Sequence, residues 1–94
     1  MSDYGWLITE GSPDIGLDVE TGTKGPRDIL DSLEALLDGG AGEFFRMYDD
    51  DGEWYYTGRI VGEYDGLEPL DDYGEPNAGC TEIRFRSNGE WVTI

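Results

Sequence analysis

The side chains in this chain most able to do chemistry are carboxylates. Twenty-two Asp and Glu face six Lys and Arg, giving a formal charge of −16, and there is no histidine. Without an imidazole the usual proton shuttle near neutral pH is missing. The one cysteine, Cys80, has no histidine to activate it, and its place at the start of an apolar alternation fits a small buried thiol. Asp49-Asp50-Asp51 before Gly52 invites comparison with a calcium loop. With Gly52 at the loop's glycine position, however, Met47 and Gly58 fall where carboxylates are required. Gly62 to Gly66 opens no helix and is followed by acids, so it is no phosphate loop. These residues point to a protein that is not an enzyme, holds no metal and needs no cofactor.

What so many carboxylates can do is meet positive charge. Residues 1–42 hold nine acids and two bases, residues 43–61 five and two, residues 62–79 six and none, and residues 80–94 two and two. Gathering like charge costs folding stability, and a cationic partner offsets that cost. Polyanionic nucleic acid and anionic lipid are excluded as direct partners; a basic protein, or a basic groove that normally holds nucleic acid, fits. The candidate surface comprises Asp31, Glu34 and Asp38 of a helix, Asp49, Asp50 and Asp51 of a turn, and Glu63, Asp65, Glu68, Asp71, Asp72 and Glu75 of a long loop. On a helix Asp31 and Asp38 lie about 10 Å apart along the axis, comparable to phosphates along a strand. We expect the acids to gather on one side of the molecule.

The elements that must position these groups are legible in the apolar pattern. Glu43 to Val61 reads as a β-hairpin closed by the acidic turn. A four-residue loop, Asp49 to Gly52, pairs Met47 with Trp54 and Phe45 with Tyr56, and puts Phe45, Met47, Trp54, Tyr56 and Ile60 on one face. Pro26 to Asp38 reads as a helix with Pro26 in its first turn, a buried stripe of Ile29, Leu30, Leu33, Leu36 and Leu37, and Gly39-Gly40 as its stop. Tyr4 to Thr9 reads as a strand, and Ile15, Leu17 and Val19 alternate as a short edge strand would. Gly62 to Gly79 reads as an ordered acidic loop with at most a helical turn, pinned by Tyr64, Leu67, Leu70 and Tyr73. The Asn88-Gly89 turn closes a second hairpin that pairs Phe85 with Val92, Ile83 with Ile94, and Arg86 with Trp91 as a cation–π contact. The sum is a single α+β domain over residues 1–94: a mostly antiparallel sheet of four to five strands with one helix, about 26–38, packed on one face.

The runs FRMYDDDGEWYYTGRIVG and EPLDDYGEPNAGCTEI resemble those of a family of small acidic proteins from bacteria and their phages that carries no established activity. The resemblance covers about the last half of the chain. It implies a small cytoplasmic protein of a prophage or other mobile element, a setting whose acidic proteins resemble inhibitors that imitate DNA. A lone cysteine, no basic leader and no apolar run near the ~20 residues of a membrane span agree with a cytoplasmic setting. Two other readings use the same residues. A small-ligand or divalent-metal-binding module would employ the acidic turns beside Tyr48, Tyr55, Tyr64, Tyr73 and Trp91; a soluble accessory protein would carry its charge for solubility alone.

Overall fold

The hairpin at residues 43–62 forms the centre of the molecule because its strands alternate apolar side chains toward one face. β3 (Glu43–Tyr48) and β4 (Trp54–Gly62) pair antiparallel with Phe45 opposite Gly58, Arg46 opposite Thr57 and Met47 opposite Tyr56. The computed structural model describes residues 3–12 and 21–94; the alternation of Ile15, Leu17 and Val19 lies outside the described residues. β1 (Tyr4–Gly11) joins the free side of β4, and β2 (Lys24–Gly25) adds two residues beyond it. On the other side β5 (Glu82–Ser87) pairs with β3, and β6 (Glu90–Thr93) with β5. The result is a six-stranded antiparallel sheet in the order β2-β1-β4-β3-β5-β6. Among the described residues the expected four to five strands become six, since the two-residue β2 is too short to show a pattern.

The register of the central hairpin differs from the expectation. The turn spans Asp49 to Glu53 rather than ending at Gly52, because Tyr48 pairs with Trp54 and a bulge then absorbs Tyr55. Phe45, Met47, Tyr56 and Ile60 share the buried face as expected. The bulge sends Trp54 to the opposite face, where its indole N–H donates to the Thr57 hydroxyl at 2.9 Å.

Two layers cover the sheet, one on each face. Trp6, Ile8, Phe45, Met47, Tyr56, Ile60, Ile83 and Phe85 point to one face and form the main core with Leu70 and Cys80. That face is covered by the segment expected to be a loop. Residues 68–78 are helical throughout: Leu70–Gly74 winds as a wide π-helical turn and runs into α2 (Glu75–Ala78). In a regular α-helix the ring of Pro76 would crowd the carbonyl four residues back, and widening the helix ahead of it relieves the clash. Gly74 lets the wide turn lie on the core, since a Cβ there would sit 2.6 Å from the Met47 sulfur. Gly79, at φ +72°, ends this helical cap, donating its N–H to the Glu75 carbonyl at 2.9 Å while Cys80 N–H reaches Gly74 at 3.2 Å. Tyr73 packs its ring 5.3 Å from Trp6 and 5.0 Å from Tyr56.

α1 (Asp31–Asp38) covers the opposite face, over β1 and β4 only, with Leu37 against Leu7 and Val61 and with Ile29, Leu33 and Ala41 around them. It starts five residues later than the expected Pro26. Residues 24–25 pair with β1, and the chain then turns, with Ile29 N–H donating to the Pro26 carbonyl at 3.1 Å, before Leu30 accepts the first helical bonds. The shortened helix buries Leu37 fully and leaves Leu36 about half exposed. Among the described residues the single expected helix is therefore replaced by two short helical elements on opposite faces.

Candidate functional site

Strand register assigns every strand base to one side. Met47, Phe45 and their partners mark the cap side, so the alternate residues Lys24, Arg46, Arg59, Arg84 and Arg86 project on the α1 side. Lys24 lies 2.8 Å from Glu34 and 3.0 Å from Asp38, so it neutralises two of the three acids of α1. These contacts raise the Lys24 pKa, chiefly through its hydrogen bond with Glu34 and then that with Asp38. Arg84 pairs with Glu82 and stacks 4.1 Å over the Tyr48 ring. The Arg46 guanidinium sits 4.4 Å over Trp91 and 5.7 Å from Trp54. The cation–π contact expected for Arg86 and Trp91 is thus made to Trp91 by Arg46, two strands away.

On the cap side no strand base projects. The helical cap and its lead-in carry Glu63, Asp65, Glu68, Asp71, Asp72 and Glu75 without a lysine or arginine among residues 62–79. The cap returns from the Gly62 end of β4 to the start of β5, so it crosses the sheet from end to end. At its far end Thr81 N–H donates to the Tyr48 carbonyl at 2.9 Å, beside the Asp49 turn. The uncommitted acids form a band along this path: Glu63 and Asp65 at one end, Asp71 and Glu75 about 6 Å apart along the helix axis in the middle, and Asp50 and Asp51 at the turn. All six are exposed.

The expected one-sided gathering of all twelve acids is therefore corrected. Asp31, Glu34 and Asp38 lie on the opposite face from the cap because α1 packs on Leu7 and Val61. Several others hold the fold together. The Asp49 side chain accepts from the backbone N–H groups of Asp51 and Glu53, both at 2.9 Å. The Glu53 N–H bond, ahead of the Tyr55 hydroxyl, holds its carboxyl below the usual range. Glu68 reaches back to the N–H groups of Asp65 and Gly66 at 2.8 and 2.7 Å and so opens the cap. Asp72 accepts from the Tyr4 hydroxyl at 2.7 Å and the Trp6 indole N–H at 3.0 Å, tying the cap to β1. Nothing in the sequence marks Asp72 apart from Asp71, because only the docked helix decides which of the two faces Trp6.

Burial pushes the Cys80 thiol up to about 11 and the Tyr56 hydroxyl up to about 12. Burial, followed by a hydrogen bond to Glu43, likewise raises the Tyr64 hydroxyl. A thiol held protonated in a core is a poor nucleophile. A cleft of about 190 Å³ lined by Glu43, Tyr64, Asp65, Gly66, Phe85 and Ile94 is smaller than the ~300 Å³ at which ordinary ligand pockets begin. Among the described residues no group of three or more Asp, Glu, Cys or His side chains is placed to hold a metal ion, and no helix is long and apolar enough to cross a membrane.

No family model, no curated protein and no solved structure matches this chain.

Proposed function

We propose that this is a non-enzymatic, cytoplasmic interaction protein whose cap side docks on a basic partner. The observation that carries the reading is the segregation of charge by register: every strand base lies on the α1 side, while Glu63, Asp65, Asp71 and Glu75 run along the other with no cation between them. A rigid scaffold makes such a band useful. The cap is pinned to the core by Leu70, Tyr73 and Asp72, so its carboxylates are pre-positioned and lose little freedom on binding. A row of fixed carboxylates suits a groove lined with Lys and Arg that ordinarily accepts phosphates. The reading therefore extends to imitation of DNA against a host defence protein.

The test compares two charge-neutralised variants in affinity capture from bacterial lysate at low and high salt. The first combines Glu63→Gln, Asp65→Asn, Asp71→Asn and Glu75→Gln; the second combines Asp31→Asn, Glu34→Gln and Asp38→Asn. The first loses the partner and the second keeps it, and capture by the parent chain falls steeply with salt. DNA competes with the chain for the captured partner. Capture indifferent to salt, or lost equally in both variants, refutes the reading.

A further inference from the structure

The cleft at the Asp65 end of the carboxylate band is apolar at its base and anionic at its mouth. The buried Phe85 and Gly66 form the base, and Tyr64 stacks on Phe85 with ring centroids 6.1 Å apart and planes within 10°. Ile94, 54% exposed, makes one wall. Glu43 and Asp65 are exposed beside the opening. Gly66, at φ +120°, keeps the space clear, since a Cβ there would sit 2.2 Å from Ile94 Cδ1. The lip is held in place because the Glu68 carboxylate accepts from the N–H groups of Asp65 and Gly66. The Tyr64 hydroxyl donates to Oε2 of Glu43, which leaves Oε1 and the Asp65 carboxylate without a partner among the described residues.

We propose that this cleft receives one lysine side chain of the basic partner; the inference rests on the cap-side reading and names the contact at one end of it. Carboxylates alone do not mark the place. An apolar slot that opens between two of them does, because it calls for an occupant with an apolar body and a cationic tip. Lysine is built that way: its four-carbon stem lies along apolar surface while the ammonium stays near water. Here the stem rests on Tyr64, Phe85 and Ile94, and the ammonium sits at the mouth between Glu43 and Asp65. At about 190 Å³ the slot takes one side chain and not a whole cofactor. Arginine fits less well. Its planar fork seeks both oxygens of one carboxylate, and the Tyr64 hydroxyl already occupies one oxygen of Glu43. The three ammonium donors of lysine divide instead between Oε1 of Glu43 and the Asp65 carboxylate. The net charge of −16 draws such a group in.

Butylammonium, which reproduces the end of a lysine side chain, is the probe, with butylguanidinium beside it. Amide proton–nitrogen correlation spectra of the full chain follow the titration at about 0.15 M NaCl, where sodium screens the diffuse charge. Shifts at Tyr64, Gly66 and Phe85 saturate with a dissociation constant of about 1–30 mM, the range open to so small a ligand. The probe's methylene protons give nuclear Overhauser effects to the Phe85 ring and the Ile94 methyls. Butylguanidinium binds at least about threefold more weakly. Glu43→Gln keeps an acceptor for Tyr64 and removes the charge; Ile94→Ser removes the apolar wall and keeps both carboxylates. Each weakens butylammonium at least about threefold, and because both positions are exposed the rest of the spectrum stays that of the parent. Shifts spread equally over Asp50, Asp51 and the α1 acids overturn the proposal, as does undiminished binding by Ile94→Ser. Butylguanidinium binding as tightly as butylammonium overturns the assignment to lysine. Partner capture without saturable butylammonium at the cleft sinks the lysine subsite alone. Butylammonium seated in the cleft of a chain that captures nothing sinks the cap-side reading and leaves an alkylammonium site without that partner.

Discussion

Removing the Asp72 carboxylate should cost far more than removing its neighbour Asp71. Asp72→Ala deletes the acceptor for both the Tyr4 hydroxyl and the Trp6 indole N–H. The Tyr4 hydroxyl is at the surface and turns to water, so its loss is small. Trp6 is only 4% exposed, and its N–H is left without an acceptor against the main core. A stranded buried donor costs ~1–3 kcal/mol and a net surface hydrogen bond under ~1 kcal/mol, for a total of ~2 kcal/mol. For a domain of this size that lowers the melting temperature by about 8–16 °C. Asp72→Asn keeps an acceptor oxygen and loses about half as much; Asp71→Ala, exposed and unpaired, changes the midpoint by less than about 2 °C. Thermal melts followed by near-UV circular dichroism resolve the three. An Asp72→Ala chain melting within about 2 °C of the parent refutes the idea that this carboxylate fastens the cap.

Three further outcomes follow from the same packing. Gly58→Ala drives a Cβ into the Leu7 carbonyl and the Phe45 ring, and backbone cannot yield, so urea midpoints should report a loss of ~3 kcal/mol or more. Gly52→Ala, at φ +81° with open space around it, costs only ~1–2 kcal/mol for the left-handed conformation. Glu68→Ala frees two backbone N–H groups and lowers stability by ~1 kcal/mol, with hydrogen exchange rising first at residues 65–71. Alkali should destabilise the fold. The Cys80 and Tyr56 protons are held more tightly when folded, so stability is intact below pH 9 and is lost as pH rises through about 11 for Cys80 and about 12 for Tyr56. The Tyr56 phenolate, isolated as the difference between the parent and Tyr56→Phe, should therefore appear together with unfolding, and its rise in the folded chain well below pH 12 would count against it.

The elements whose partners are close in sequence were legible; those set by packing were not. Asn88-Gly89 fixes its own hairpin, and Phe85 opposite Val92 and Arg86 opposite Trp91 pair as the turn chemistry requires. The buried face of the central hairpin follows from alternation, but its register does not. Asp49 closes a five-residue turn with its own side chain, and the bulge at Tyr55 resets the pairing. Residues 68–78 lack helical periodicity because a π-turn spaces its contacts differently and two prolines interrupt the pattern. The acids were legible as a quantity. Their division between two faces depended on which side of the sheet each helix covers, and Lys24 reached α1 only through the pairing of β2 with β1.

The strand order also dictates what happens during synthesis. β1 emerges from the ribosome ahead of β4, a neighbour about fifty residues downstream, and waits for it. Until Trp54–Gly62 has cleared the exit tunnel, the run of Trp6, Leu7 and Ile8 has only the two-residue β2 to pair with, and α1 lacks the Val61 half of its floor. The β3–β4 hairpin then captures the older strand on one flank and the newer β5 on the other. The nascent chain thus carries an apolar strand with one flank open while about fifty residues are added, and its dense negative charge keeps neighbouring nascent copies apart over that interval.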